Sequence, residues 1–440
     1  MGTIRPFILS IILMLGCRNI AGDVQLLKQQ ALEYFRLEQY GEAIDLLEAA
    51  RQEDDQDAEI YYYLGFFNHY KAYDSRPLSS YDENYSRQVF AYLDKALELD
   101  PDYGDAKYFY GAECSANGLQ AMQNRDLEKL KYFYQLAREK GAFPDWLVEF
   151  GLNLLNSCQE NAILFTGGNA DFDVCLYLQL QQKIRPDITL IPIGNIDRPW
   201  YVKFLKTGLE NGIRPISLKL TDNQIEDLHP FKWKTAEIDI PLSDQIKTCH
   251  ELSPDYRMTI NLEPDLLSSR EHAKTQEEIP SLRTYLSPQK AMLVQIIEDN
   301  FAERPVYISG LADPFFYEGL NDYLQFCGLV HRLLPTRLTE TGRDIDPASL
   351  EKLFRAGNFS QLADLRKNNI PRINSLIYHY HRSLLILAGY YYEKRQSDKI
   401  EELAEFYREY LAIGFDPEYE ADCLRYLERL DQVVKEGTSE

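Results

Sequence analysis

Apolar residues in the first third of the chain recur every three or four positions, which is the period of amphipathic helices. Small residues at Ala31 and Ala43 interrupt larger apolar ones, and the slot of Ala31 recurs 34 residues later at Gly65. Small residues at such slots let two antiparallel helices approach closely. The pattern therefore predicts repeated helical hairpins over residues 23–156.

A third unit begins near Tyr110 and closes near Pro144, and the 34-residue period resembles the tetratricopeptide repeat. This resemblance implies a concave groove that receives a peptide or a partner helix. The alternative is that the repeats only pack against the next domain. We expect the aromatic residues of 61–67 to be core, and the insertion at 71–86 to be a loop that is a minor candidate for contacts.

The hydrophobic pattern changes after residue 156. Apolar runs typical of strands alternate with segments of helical period across residues 157–340. The predicted strands are 161–165, 187–193, 215–220 and 304–310, and the predicted helices are 172–182 and 199–209. This alternation predicts a parallel sheet with right-handed crossovers, a Rossmann-like domain.

Polar residues and glycines follow two of these predicted strands. They are Thr166, Gly167, Gly168, Asn169 and Asp171 after the first strand, and Asn195 and Asp197 after the second. Ligands of open α/β sheets bind beyond the carboxyl ends of strands, so these residues are candidates for binding a sugar or phosphate. The alternative is that the glycines form a tight turn and Asp171 caps the next helix.

Helical periodicity returns in the last part of the chain. Residues 341–371 are predicted to be a connector, and residues 372–440 a helical region that resembles a further repeat hairpin, with a helix at 418–434. The predicted fold class is thus α plus α/β. Helical hairpins of the tetratricopeptide type flank a Rossmann-like parallel-sheet domain, and a helical hairpin ends the chain.

Residues 1–17 have the features of a signal for export. Arg5 precedes an apolar run of nine residues, which is too short to cross a membrane, and the segment ends in Gly16-Cys17. This ending resembles the lipobox of bacterial lipoproteins, which implies that Cys17 is lipidated. We therefore expect an exported lipoprotein that faces the periplasm or the cell exterior. The alternative is an ordinary signal peptide.

Composition narrows the function classes. The formal net charge is −22, from 69 acidic and 47 basic residues, so nucleic acid is not an expected partner, whereas a protein with basic patches is. None of the seven cysteines forms a C-x-x-C motif, and His379 and His381 point to different faces of a helix. We predict no metal site, no cofactor and no catalytic residues, which leaves enzymatic activity open but disfavoured.

Several segments of the second and third regions resemble one family. They are Phe165-Thr166-x-Gly168-x-x-Asp171, Ile184-Arg185-Pro186-Asp187, Pro199-Trp200-Tyr201, Arg304-Pro305-Val306-Tyr307 and residues 328–335. In this order they resemble the soluble C-terminal part of large bacterial multi-spanning membrane proteins that are grouped with protein O-mannosyltransferases and have no known function. The resemblance spans roughly residues 155–410.

Two residues of the first loop depart from that family, because Asn169 stands where the family has Asp and Phe172 where it has Thr. The family's catalytic machinery is expected in its membrane-embedded part. The resemblance therefore implies an accessory module of the cell envelope, linked to surface glycosylation.

Three functions remain open from the sequence. The first is a lipoprotein scaffold that binds an envelope protein through the repeat groove and the membrane through Cys17. The second is an α/β module that binds a sugar or phosphate, and the third is a glycan-transfer enzyme.

Overall fold

A computed structural model describes residues 24–74, 83–265, 285–338 and 345–437. Cys17, the proposed export signal and the middle of the 71–86 insertion lie outside these residues. The chain divides into two compact units, Met1–Glu113 and Cys114–Glu440. In the described parts, no helix combines the length and apolar character needed to span a membrane.

Consecutive helices form the described part of the first unit and continue into the second. They are α1 (Val24–Arg36), α2 (Tyr40–Glu53), α3 (Ala58–Asp74), α4 (Glu83–Leu99) and α5 (Gly104–Gln123). α1 packs against α2, α2 against α3, and α3 most extensively against α4. The predicted hairpins are therefore present.

Two of the small residues predicted to lie between helices are fully buried. Ala31 and Ala43 have no exposed surface. A Cβ atom on Gly65 would lie 2.7 Å from the Leu93 side chain, so glycine is what allows α3 and α4 to approach so closely. The aromatic residues of α3 also pack as predicted, since Tyr62 is 2% exposed and Phe67 is fully buried.

The second unit contains most of the described helices and all of the described strands. The further helices are α6 (Leu127–Glu139), α7 (Asp145–Asn156), α8 (Val174–Gln182), α9 (Pro199–Thr207), α10 (Asp222–Glu226), α11 (Asp244–Cys249), α12 (Pro288–Asn300), α13 (Pro347–Ala356), α14 (Ile377–Glu393), α15 (Ser397–Phe406) and α16 (Pro417–Gly437). The strands are β1 (Ile163–Thr166), β2 (Thr189–Pro192), β3 (Phe231–Lys232), β4 (Ala236–Ile240), β5 (Met258–Leu262), β6 (Tyr285–Leu286), β7 (Val306–Ser309), β8 (Leu324–Phe326) and β9 (Val330–Leu333).

The central sheet has five strands in the order β2–β1–β7–β9–β8. β1 pairs in parallel with β2 and with β7, as the alternation of strands and helices predicted. The prediction of a parallel sheet is wrong for the other edge, where β9 is antiparallel to both β7 and β8. The short turn between β8 and β9 contains Gly328 at a φ of 95°, and a short turn can join only antiparallel strands.

The predicted strand at 215–220 is absent from the sheet, and this expectation was wrong. Its alternating apolar residues Ile216 and Leu218 are buried, but the segment packs against α12. The backbone N–H of Ser217 donates to Asn300 Oδ1 at 2.9 Å. The side chains of α12 therefore cover this segment and accept its backbone hydrogen bond, where the alternating pattern had predicted a neighbouring strand.

Helices α14, α15 and α16 pack against one another, so the predicted C-terminal hairpin and final helix are present. The predicted connector contains a ten-residue helix, α13, which the sequence analysis missed. Asp346 caps this helix by accepting from Ser349 N, and Pro347 takes the first helical position, where its missing N–H costs nothing.

Candidate functional site

The carboxyl ends of β1, β2 and β7 meet at one edge of the sheet. Thr166 lies beside Pro192 in register, so the loop after β1 and the loop after β2 are neighbours, as predicted. Asn169 is exposed and Asn195 is half-buried at this edge, whereas Thr166 is fully buried. The candidate ligand-binding residues thus come from adjacent loops.

Asp171 lies beneath the loop that follows β1. Its Oδ2 atom accepts from Gly167 N at 2.9 Å, and its Oδ1 atom accepts from Gly168 N and from Phe172 N, both at 2.9 Å. The chain continues from there as a π-helical turn, Asn169–Asp173, into α8. Asp171 therefore caps its own turn, which was the alternative interpretation of this motif.

The environment of Asp171 is closed on its other side by β7. Burial raises the pKa of Asp171, while hydrogen bonds from the Ser309 hydroxyl and the three backbone N–H groups oppose that rise. Gly167 lies against the loop after β7, since a Cβ atom on it would be 2.3 Å from the Leu311 carbonyl oxygen. Only glycine fits between these two loops.

A second carboxylate is buried two residues after Asp171. Asp173 Oδ1 accepts hydrogen bonds from Ser115 Oγ of α5 and from the Tyr134 hydroxyl of α6, both at 2.8 Å. Burial raises the pKa of Asp173 to about 7, with the charge of Asp171 adding to the effect. The π-helical turn is therefore attached to two helices through one side chain.

The loop after β2 has a different polar group. Asp197 Oδ2 accepts from Gln289 Nε2 of α12 at 2.6 Å, and Arg198 Nε lies 3.9 Å from Asp197 Oδ1. Burial raises the pKa of Asp197, and the neighbouring Arg198 charge opposes that shift. Asp197 thus joins the loop to α12, and contacts from this loop to Asp171 are not observed among the described side chains.

An anionic ligand at the loop after β1 would need free backbone N–H groups. The N–H groups of Gly167 and Gly168 already donate to the carboxylate of Asp171, which occupies the position that a phosphate or a sugar acid would take. The geometry consequently supports a capped structural turn at this point more directly than a ligand cradle.

The sequence analysis missed the partners that complete this site. Ser115 and Tyr134 come from helices that were assigned to the repeats, and Ser309 was included only as part of the predicted strand 304–310. Each is a single residue far from Asp171 or Asp173 in the chain, so no spacing signal connects them. Ser309 is the last residue of β7, which pairs with β1. Knowing this strand order would have placed Ser309 next to the loop after β1.

Taken with its helical hairpins, the second unit is a mixed α/β domain, and comparison with known families agrees with part of the predicted resemblance. Residues 147–248 match the family model described as TMEM260-associated domain 2. That family is linked with TMEM260, a membrane protein related to protein O-mannosyltransferases. The match runs from α7 to α11 and includes the candidate loops. No curated protein matches the chain.

Proposed function

We propose that the protein is a membrane-anchored scaffold whose N-terminal hairpins bind a basic segment of another envelope protein. In this proposal the hairpins are tetratricopeptide-type repeats, the sheet domain is a Rossmann-like module, and lipidated Cys17 anchors the chain. The match of residues 147–248 to a TMEM260-associated domain supports an accessory role in cell-surface glycosylation or envelope assembly.

The observation that carries the proposal is an aromatic cluster in the first unit that reaches the surface. The ring of Tyr70 lies 5.6 Å from that of Phe35 and 5.1 Å from that of Phe66, which in turn lies 4.3 Å from Phe109. Alternate helices α1, α3 and α5 are thereby joined in one layer. Tyr70 is 38% exposed, so a partner can extend this cluster by burying an apolar side chain against it.

Charge determines which partner fits. Residues 24–113 carry 19 acidic and 8 basic side chains, a formal net charge of −11, which is half of the net charge of the whole chain. Such a surface attracts a segment rich in Lys and Arg and repels an acidic one. A basic peptide or helix with apolar anchors therefore suits this unit best.

The test uses the whole protein in cells. A photo-reactive phenylalanine analogue replaces Tyr70 in a tagged chain, and the crosslinked peptides are identified by mass spectrometry. We expect one abundant envelope protein to be captured through a basic segment. The matched control carries the same analogue in place of Tyr426, which is 45% exposed and lies in the second unit.

The comparison of the two positions decides the proposal. Capture at position 70 and not at position 426 supports binding through the first unit. Equal capture at both positions, or no recurrent partner at position 70, contradicts the scaffold function as proposed.

A further inference from the structure

Two cavities adjoin at the edge of the sheet where β1 and β7 begin, opposite the edge with the candidate loops. The smaller cavity, about 300 Å³, lies between the end of α7, Tyr307 of β7 and one face of α13. The larger, about 530 Å³, continues towards α11. Gln159 and Arg332 line both cavities, which together are called the edge cleft below.

The charge of the edge cleft differs from that of the protein as a whole. Arg332 and Lys352 line the smaller cavity, and no carboxylate is found among its described lining residues. The larger cavity adds Arg304 and His250 against one acid, Glu303. In a chain with a net charge of −22, a cleft whose described lining carries three Lys and Arg side chains and one acid is a local exception that favours an anion.

Lys352 is an exposed cation of the cleft that has no acidic partner among the described residues. Its ammonium group donates to the Asn156 carbonyl oxygen at 3.2 Å. No carboxylate lies within 4 Å of it in the part of the chain that the structure describes. Lys290, by contrast, pairs with Asp265 at 2.9 Å elsewhere in the same unit. Lys352 therefore retains a charge for which the cleft supplies no acidic partner.

Arg332 contributes a second, partly balanced charge. Its guanidinium donates to Gln325 Oε1 at 2.6 Å, and Asp346 Oδ2 lies 3.7 Å away. The side chain is about one quarter exposed, so a bound group can reach it. This hydrogen bond and the ion pair also restrain the guanidinium, which lowers the entropy cost of using it to bind a ligand.

The remaining walls of the smaller cavity are mixed, with an apolar patch among amide and hydroxyl side chains. Cys158, Tyr307 and Leu353 line this patch and are buried. Ala356 lies one turn further along the same face of α13. A ligand can therefore place an apolar or aromatic body on this patch, next to its charged group.

We propose that the edge cleft binds a small organic anion, a carboxylate or a phosphate monoester, whose apolar body lies on Tyr307 and Leu353 and whose charged group lies between Lys352 and Arg332. This site is separate from the loops after β1 and β2 and from the proposed partner surface of the first unit.

Calorimetric titration of the full chain with four probes tests the proposal. The probes are phenyl phosphate, phenylacetate, inorganic phosphate and the neutral benzyl alcohol. We expect at least one aromatic anion to bind, and benzyl alcohol and inorganic phosphate to bind about tenfold more weakly or not at all. Binding of phenyl phosphate alone identifies a phosphate monoester, and binding of phenylacetate identifies a carboxylate.

Two substitutions locate the binding site. Lys352→Met removes an exposed charge and should weaken binding of the anion about tenfold, whereas Lys367→Met, at a side chain that is 83% exposed, should leave it unchanged. Ala356→Trp fills the cavity from an exposed position and should abolish binding without unfolding the domain.

Three results would overturn the site. They are the absence of binding by both aromatic anions up to about 10 mM, equal binding of benzyl alcohol, and anion binding that neither Lys352→Met nor Ala356→Trp alters. The partner-capture experiment does not use this cleft, so the two proposals fail independently.

Discussion

The phenol of Tyr134 donates a 2.8 Å hydrogen bond to the carboxylate of Asp173, which is 2% exposed. This contact joins α6 to the π-helical turn that follows strand β1. Asp171, two residues earlier, is fully buried. Its carboxylate accepts hydrogen bonds from backbone N–H groups of the preceding loop and so holds that loop in place. The two acids thus fix the carboxyl edge of the sheet from within.

We predict that Asp173 makes the stability of the protein dependent on pH. Burial raises the pKa of Asp173 to about 7 from an ordinary value of 3.8, so the folded protein holds this proton more tightly than the unfolded chain. The resulting stabilisation is fully present below pH 3.8 and is lost as the pH rises through about 7. The limiting slope is about 1.4 kcal/mol per pH unit.

Denaturant unfolding of Asp173→Asn between pH 4 and pH 8 checks this prediction. The amide oxygen can still accept from Ser115 and Tyr134, so we expect the variant to gain stability relative to the native protein as the pH rises. Asp227→Asn, at a carboxylate that is 83% exposed, serves as the control. Parallel pH profiles for native protein and Asp173→Asn would contradict the assignment.

Asp171→Asn should destabilise the fold by about 2 kcal/mol, because an amide NH₂ group replaces one of the two oxygens and leaves at least one of the three backbone N–H donors without its acceptor. Asp197→Asn is the matched change, since its amide oxygen can keep the bond from Gln289. We expect a loss below about 1 kcal/mol for it. Chemical denaturation measures the free energy of unfolding of both variants. Equal losses would mean that the backbone hydrogen bonds to Asp171 stabilise the fold no more than the single bond to Asp197 does.

Gly167→Ala should cost about 1–3 kcal/mol, because the new methyl group would meet the Leu311 carbonyl oxygen at 2.3 Å and push the loops after β1 and β7 apart. Gly194→Ala provides the comparison, since a Cβ atom there meets nothing within 4 Å. The melting temperatures of the two variants give the answer. Equal melting temperatures for Gly167→Ala and Gly194→Ala would show that the loops after β1 and β7 separate at little cost.

The sequence predicted the strands β1, β2 and β7 and the neighbouring positions of the two candidate loops, because buried strands are short apolar runs and the chain order implies parallel pairing. It did not decide between a ligand-binding loop and a cap formed by Asp171, since both kinds of loop share the same residue types. The segment 215–220 was misassigned because alternating burial looks the same against a helix as against a strand. The edge cleft combines residues from five distant segments, which periodicity cannot bring together.

Membrane attachment is predicted to depend on Cys17. Cys17→Ser should move the protein from the membrane fraction to the soluble fraction and remove labelling by a fatty-acid analogue, because a thiol is the acylated group. The same protein with Cys249→Ser, at an exposed cysteine of the second unit, should remain attached and labelled. Retained lipid labelling in Cys17→Ser would exclude lipidation at this residue.

The pairing of β1 with β7 also constrains how the domain is made. Val306 lies 143 positions after its neighbour Ile163, so at about 5–20 residues per second a ribosome adds the second strand on the order of ten seconds after the first. Until then one side of β1 has unpaired backbone groups, which readily pair with other chains. A fragment limited to residues 147–248 would keep that open side permanently. The shortest stable form of this domain must therefore extend beyond Ser309.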